Sequence, residues 1–180
     1  GDEVNNSHFS IVKSFITNWY EAKSDAEAQG GRLAVLKTQE QIEKANEFLL
    51  GIGSWDSLWI GLKFDSIEQE FRWLDGDLLT SSNWDAEEPN FTENEETVVY
   101  IQPSYSDAAL KWNNHSVSDS NMTSYLLERK TDPNNSDTDG DLLIDGKELE
   151  LGSDPLVANN YESLIPLINN LEVQSLEVTI

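Results

Sequence analysis

Carboxylate and amide side chains are concentrated in one stretch of the chain, residues 82–96. The stretch places six carboxylates and three asparagines around a single proline: Asp85, Glu87, Glu88, Glu93, Glu95 and Glu96, with Asn83, Asn90 and Asn94. Carboxylates at this density repel one another unless a cation gathers them. Hard oxygen donors suit Ca²⁺, which takes about six to eight oxygens at about 2.3–2.6 Å. The alternative interpretation is a solvated acidic loop.

A second set of carboxylates lies in the tail. Counted from the first member, they occupy positions 1, 3, 5, 9 and 12 of a loop: Asp137, Asp139, Asp141, Asp145 and Glu148. This is the ligand spacing of an EF-hand type calcium loop. Leu142 stands where such a loop has glycine, and Gly140 comes earlier, so a regular EF-hand turn is not expected. We predict calcium binding here too, against the alternative of an acidic linker.

The composition excludes several functions. The 180 residues include 34 acidic and 11 basic ones, for a net charge of −23. Nucleic acid and anionic membranes are therefore poor partners, whereas divalent cations are good ones. No apolar run reaches the roughly 18 residues of a membrane span, and residues 1–6 do not look like a signal peptide, so any export signal would already be gone. The chain has no cysteine, which excludes disulfides and thiol catalysis. Its two histidines, His8 and His115, are too few for a His-rich zinc site and do not favour a His-based catalytic triad.

Hydrophobic periodicity predicts an α+β domain around the acidic loop. A strand at 8–15 precedes a helix that begins at Thr17 or Asn18 and ends at Gly30-Gly31, and a buried strand at 32–36 precedes a helix from Thr38 to Gly51. The helical period then gives way to short strands at 58–62, 71–74, 97–102, 110–113 and 124–128. The intervening loop is unusually long, and we expect Trp84 to hold it to the core.

Residues 8–130 resemble a C-type lectin-like domain. The matching motifs occur in family order: Trp19, Ala22, Ala26, Gly30 to Ala34, Leu58 to Leu62, Phe71 to Trp73, Asn83-Trp84, Glu88-Pro89-Asn90, Glu95-Glu96 and Trp112-Asn113-Asn114. The resemblance implies an α+β fold with two helices, short antiparallel strands and a long calcium-binding loop.

The resemblance also implies a site. Pro89 would be cis, so that the flanking side chains point into one calcium ion. The implied ligands are Glu88, Asn90, Glu95, Asn113 and Asn114, and the first four would also bind the sugar. Vicinal hydroxyls would complete the calcium shell, and the Glu-Pro-Asn order implies mannose, glucose or fucose type hydroxyl pairs rather than galactose.

Two departures from the family pattern matter. Asn114 replaces the aspartate of the usual Trp-Asn-Asp motif, which removes one ligand charge. Ala26 and Thr97 stand where half-cystines are common, which implies a disulfide-free, bacterial type of domain. A second calcium site could use Glu68, Glu95 and Glu96, with Asp65 nearby. Glu68 and Asp65 could instead be ordinary hairpin carboxylates.

The rest of the chain is organised in two segments. Residues 131–160, closing on Gly152-Ser153-Asp154-Pro155, resemble a thrombospondin type 3 repeat, an EF-hand-like calcium module. Residues 161–180 are apolar again, and we expect them to begin a further segment. The sequons at Asn5, Asn90, Asn114, Asn121 and Asn134 are interpreted as unused.

The leading hypothesis is a calcium-dependent carbohydrate-binding domain of an exported adhesin-like protein, acting outside the cell or at its surface on a glycan or polysaccharide. The alternative is a protein-binding or ice-binding module whose calcium is structural, which Asn114 favours. An enzyme is not expected, because adjacent carboxylates such as Glu87 and Glu88 point apart on an extended loop, whereas a hydrolase needs them paired.

Overall fold

The computed structural model describes residues 7–91, 97–119, 121–130, 148 and 154–158. The chain divides into two compact units, residues 1–129 and 130–180. The elements are β1 Ser7–Lys13, α1 Trp19–Ala28, β2 Arg32–Leu33, α2 Gln39–Ile52, β3 Leu58–Asp65, β4 Glu70–Trp73, β5 Thr97–Ile101, β6 Trp112–Ser116 and β7 Ser124–Lys130. The predicted α+β class, with two helices in the first unit, is confirmed. No helix among the described residues is long and apolar enough to cross a membrane.

The expected short antiparallel strands make up most of the described pairs, but one pair is parallel, so the sheet is mixed. Its strand order is β1-β7-β3-β5-β6, with β2 paired to β7 and β4 paired to β3. β3 and β7 run parallel, with Leu58 opposite Ser124 and Trp59 opposite Tyr125. The chain leaves β6 on one side of β3 and begins β7 on the other side. This crossover brings β7 in parallel to β3.

Both helices begin where the sequence predicts. The Asn18 side chain caps α1 by accepting the Glu21 N–H, and Thr38 forms a capping box with Gln41 at the start of α2. The end of α2 differs from the prediction, since the helix continues through Gly51 to Ile52. Gly53 ends it instead, because this residue takes a left-handed conformation with φ of 85° and donates its N–H to the Leu49 carbonyl oxygen.

The strand predicted at 32–36 is shorter in the structure. Arg32 and Leu33 pair with β7, and Ala34 still donates its N–H to the Leu126 carbonyl oxygen at 2.9 Å. Residues 34–36 are buried as expected. Val35 donates its N–H to the Glu128 carboxylate instead of to a strand carbonyl. The chain therefore leaves the ladder while its backbone groups stay bonded.

Aromatic and aliphatic side chains pack on both faces of the sheet. One cluster includes Trp73, Trp112 and residues of α2, and the other includes Trp19, Trp59 and Tyr125. All five of these aromatic residues are at most 2% exposed. Packing of this density stabilises the domain without disulfides.

Candidate functional site

The predicted loop begins as a short extension of the sheet. Trp112 donates its N–H to the Asn83 carbonyl oxygen at 2.8 Å, and Asp85 donates its N–H to the Trp112 carbonyl oxygen at 2.9 Å. Trp84 thus forms a parallel bridge with Trp112. The Asn83 side chain adds a bond to the Leu110 carbonyl oxygen at 2.9 Å. Leu110 therefore serves this contact, and β6 begins at Trp112 rather than at the predicted residue 110.

Aromatic rings fix the loop to the sheet. The Trp84 ring lies 5.1 Å from the Phe71 ring and 5.9 Å from the Trp112 ring, which confirms that Trp84 holds the loop to the core. Phe91 anchors the C-terminal end of residues 84–91 in the same way. Its ring lies 4.7 Å from Phe64 and 6.0 Å from Phe71, although it is 52% exposed. Both ends of residues 84–91 are therefore anchored by rings.

Glu88 and Asn90 meet at the tip of the loop. The peptide bond between Glu88 and Pro89 is cis, as the resemblance implies. Asn90 donates its side-chain Nδ2–H to Glu88 Oε1 at 2.8 Å and its backbone N–H to Glu88 Oε2 at 3.0 Å. The flanking side chains thus lie on the same side of the proline. The Asn90 side chain is exposed, and the Glu88 side chain is half-buried.

Asn114 joins this group through its side chain. The Asn114 side chain exchanges two hydrogen bonds with the Asn90 backbone. β6 pairs with β5 residue for residue, which places Asn113 opposite Tyr100 and Asn114 opposite Val99. Because side chains alternate across a strand, those of Asn113 and Asn114 point to opposite faces of the sheet. Glu95 lies outside the described residues.

Negative charge surrounds Tyr100 on the Asn113 face. Burial raises the pKa of the Tyr100 phenol, and the carboxylates of Glu88, Asp119 and Asp85 raise it further. Asp85 also accepts a hydrogen bond from Gln102 Nε2 at 2.7 Å. The field at the base of the loop therefore favours a cation and disfavours an additional anion.

The side chains at the loop tip carry the oxygen donors that calcium requires. Glu88 supplies a carboxylate and Asn90 an amide oxygen, and both are hard oxygen donors of the kind that Ca²⁺ takes. Across the part of the chain that the structure describes, no three His, Cys, Asp or Glu side chains form a metal-binding group. The predicted set draws instead on amide oxygens and on Glu95, which lies outside the described residues. The side chains at the tip fit calcium chemically.

The other predicted calcium positions are described only in part. Asp65 accepts the backbone N–H groups of Ile67 at 2.9 Å and Glu68 at 3.2 Å, and these two bonds lower the pKa of its carboxyl. It thus stabilises the β3–β4 turn, while Glu68 is exposed. The second-site partners Glu95 and Glu96 lie outside the described residues.

In the second unit, Glu148 is helical and fully buried. Asp154 closes a turn by accepting the Leu156 N–H at 3.0 Å. The remaining predicted tail ligands fall outside the described residues: Asp137, Asp139, Asp141 and Asp145. The same holds for the apolar tail, 161–180.

Sequence reasoning missed two features of the site. The anchoring role of Phe91 was not predicted, although Phe91 is a large ring among polar residues, which is the pattern that predicted this role for Trp84. The two-way bond between Asn114 and Asn90 had no sequence signal, because the partners are 24 residues apart and the bond uses the backbone.

The family is established by a direct match. Residues 16–124 match the family model for the lectin C-type domain. This span is more than half of the chain, and the chain belongs to the C-type lectin domain family. Over 86 residues it is 35% identical to the versican core proteins of rat and human. The match covers 46% of this chain but only 3% of the rat protein and 2% of the human one.

Several solved structures share the fold. The cow CD23 C-type carbohydrate-recognition domain, crystallised in the presence of a GlcNAc2Man3 oligosaccharide, is 26% identical with a TM-score of 0.56, covering 71% of this chain and 90% of that one. Human lithostathine is 19% identical with a TM-score of 0.58, covering 70% and 85%. The tunicate lectin TC14 from Polyandrocarpa misakiensis is 17% identical with a TM-score of 0.53, covering 69% and 100%. The predicted C-type lectin-like fold is confirmed.

Proposed function

We propose that residues 8–130 form a calcium-dependent carbohydrate-binding domain. The observation that carries this proposal is the meeting of Glu88 and Asn90 across Pro89, at an exposed tip that aromatic rings anchor to the sheet. Membership of the lectin family and the likeness to a carbohydrate-recognition domain support it.

Binding would be coordination without chemistry on the ligand, so no catalytic role is assigned. Glu88, Asn90 and Glu95 would hold the calcium ion and the sugar together with Asn113, which lies opposite Tyr100 on the face of the sheet that the Glu88 charge also reaches. Asn114 would be the remaining ligand. The ion would supply coordination of two vicinal sugar hydroxyls. A carboxylate accepts from a hydroxyl, and an amide both donates and accepts, so the same side chains can bond those hydroxyls. The Glu-Pro-Asn order favours mannose, glucose or fucose type hydroxyl pairs.

The affinities should be modest. Glu88 and Glu95 balance the charge of the ion without further carboxylates, so the Kd for calcium should fall in the range of extracellular modules, roughly 10⁻⁴ to 10⁻³ M. A monosaccharide held by two hydroxyls should bind with a Kd of about 1 mM. Adhesion would then require several copies. We further propose that the domain lies outside the cell or on its surface, in an adhesin-like protein of bacterial, disulfide-free type that can carry further domains.

The segment 131–160 is proposed to be a separate calcium module of the thrombospondin type 3 kind. Its ligands would be Asp137, Asp139, Asp141, Asp145 and Glu148. The buried, helical position of Glu148 favours this proposal, because the last EF-hand ligand stands where the loop passes into the following helix.

A protein-binding or ice-binding module with structural calcium is the second candidate. The observation that favours it is Asn114, whose side-chain amide is engaged by the Asn90 backbone and which carries no charge.

Glycan-array binding with and without a chelator separates the two candidates. Binding that requires calcium and is competed by free mannose or fucose is the expected result. Glu88→Gln should abolish it, whereas Glu87→Gln, the matched change at the exposed neighbouring carboxylate, should leave it intact. Calcium binding without any glycan binding would support the second candidate. Glycan binding that survives chelation would overturn the calcium mechanism.

A further inference from the structure

The side-chain amide of Asn114 pairs with both polar groups of the Asn90 backbone. Its Oδ1 accepts the Asn90 N–H at 3.1 Å, and its Nδ2 donates to the Asn90 carbonyl oxygen. An amide that accepts and donates in this way satisfies a peptide unit much as a neighbouring β-strand would. One side chain therefore attaches the tip of the loop to β6.

This attachment point is rigid. Asn114 is 6% exposed and lies in the middle of β6, opposite Val99, which is fully buried. Hydrogen bonds are stronger in such surroundings than in water, and loss of one partner leaves the other buried and unsatisfied. The position of Asn90 is thus tied to the sheet.

The attachment extends to the carboxylate at the tip. The Asn90 N–H that Asn114 accepts is shared with Glu88 Oε2, and the Asn90 side chain bonds Glu88 Oε1. Both carboxylate oxygens of Glu88 therefore depend on the placement of Asn90. A side chain that fixes the Asn90 backbone also orients Glu88.

An aspartate could not make this contact. An ionised carboxylate has acceptors but no donor, so it would present an oxygen to the Asn90 carbonyl oxygen. It would also bring a charge into a position that is 6% exposed. The asparagine in place of the usual aspartate is therefore matched to the backbone that it contacts.

We propose that Asn114 is a positioning residue that clips the Asn90 backbone to β6 and thereby orients Glu88 and Asn90. Asn114 thus holds the loop tip by hydrogen bonds, at a position where the family usually has a charged calcium ligand. The consequence for ligand binding rests on the proposed function, but the clip itself does not.

Amide hydrogen exchange in calcium-free buffer with a chelator tests the clip alone. In the wild-type chain the Asn90 N–H should exchange at least about tenfold more slowly than in Asn114→Ala and Asn114→Asp. Asn46→Asp, the same change at a half-buried position on α2, should leave that exchange rate unchanged. Protection of β3 amides reports in parallel whether each variant is folded.

Calcium titration of the folded variants provides a second readout that general stability would not imitate. If Asn114 acted only as a ligand, Asn114→Asp would add a charge and tighten calcium binding. If Asn114 acts as the clip, Asn114→Asp should instead bind both calcium and mannose more weakly than the wild type does.

The outcomes separate the two proposals. An Asn90 amide that exchanges at the rate of an unstructured peptide in the wild type overturns the clip, even if no variant folds. Equal Asn90 protection in the wild type and Asn114→Ala, or tighter calcium binding by Asn114→Asp, does the same. A slow Asn90 amide in a wild type that binds neither calcium nor sugar supports the clip and overturns the proposed function.

Discussion

Glu128 accepts two hydrogen bonds from the guanidinium of Arg32, from Nη2 at 2.7 Å and from Nε at 3.1 Å, both at Oε1. Its other carboxylate oxygen accepts the Val35 N–H at 3.1 Å. Glu128 is 2% exposed, so its charge is almost wholly removed from water. The Glu128 carboxylate thus links β7 to Arg32 of β2, and it also accepts the backbone N–H of Val35, just after the end of β2.

Removing the cation from this pair should be costly. Arg32→Met would leave the buried Glu128 charge without its partner, and we expect a loss of about 3–5 kcal/mol in the free energy of unfolding. Urea denaturation followed by Trp fluorescence measures it. Lys23→Met, which breaks the exposed pair with Glu27, should change stability by no more than about 0.5 kcal/mol. Equal effects of the two changes would contradict the assignment.

Phe91→Ala should separate loop positioning from stability. The ring is 52% exposed, so its loss should lower the free energy of unfolding by only about 1 kcal/mol. Its contacts with Phe64 and Phe71 hold the end of the loop tip, so calcium and sugar affinity should fall severalfold. Calorimetric titration beside thermal unfolding gives both numbers. Tyr105→Ala, an exposed aromatic elsewhere, should alter neither.

Asp75 should contribute to acid sensitivity. Burial disfavours its charged form, but hydrogen bonds from Lys37 Nζ at 2.7 Å and from the Asp77 N–H at 3.2 Å outweigh that effect, so the pKa of Asp75 lies below its ordinary value. A lowered carboxyl pKa in the folded state contributes stability at neutral pH. That contribution is lost as the pH falls from about 5 through the folded-state pKa.

The matched variants for this prediction are both Asp→Asn. Asp75→Asn should lower stability at pH 7 and make its decline toward acid pH shallower than in the wild type, as measured by thermal unfolding across the acid range. Asp56→Asn should leave the profile unchanged, because Asp56 pairs with Lys13 at 3.5 Å and its side chain is 57% exposed. A steeper acid decline in Asp75→Asn would contradict the prediction.

The order of the two side chains around Pro89 should set sugar preference. Exchanging them by Glu88→Gln with Asn90→Asp keeps one carboxylate and one amide at the tip. If the hydroxyl pair is read by these groups, competition on a glycan array should shift from mannose toward galactose. Unchanged preference for mannose would show that other residues determine specificity.

The tail should bind calcium independently of the lectin loop. Asp139→Asn with Asp141→Asn removes two of the proposed ligand charges and should abolish one class of calcium sites in a titration. Mannose binding by the domain should persist in this variant. A calcium stoichiometry equal to that of the wild type would remove the tail from the set of calcium modules.

The sequence by itself determined the features that depend on local chemistry. Helix starts at Asn18 and Thr38 follow from capping side chains, which bond to backbone only three residues away. The anchoring of Trp84 follows from the cost of leaving a large ring in solvent. The family pattern also placed Glu88 and Asn90 together, because they are neighbours across one proline.

Only the tertiary structure decided the features that join distant parts of the chain. The parallel pairing of β3 with β7, the early end of β2 at the Glu128 carboxylate and the bond between Asn114 and Asn90 each unite groups separated by 24 residues or more. Backbone donors and acceptors are the same at every residue, so no side-chain pattern records which of them a distant amide or carboxylate will meet. Folding brings those groups together, and the identity of the partner follows from the path of the chain.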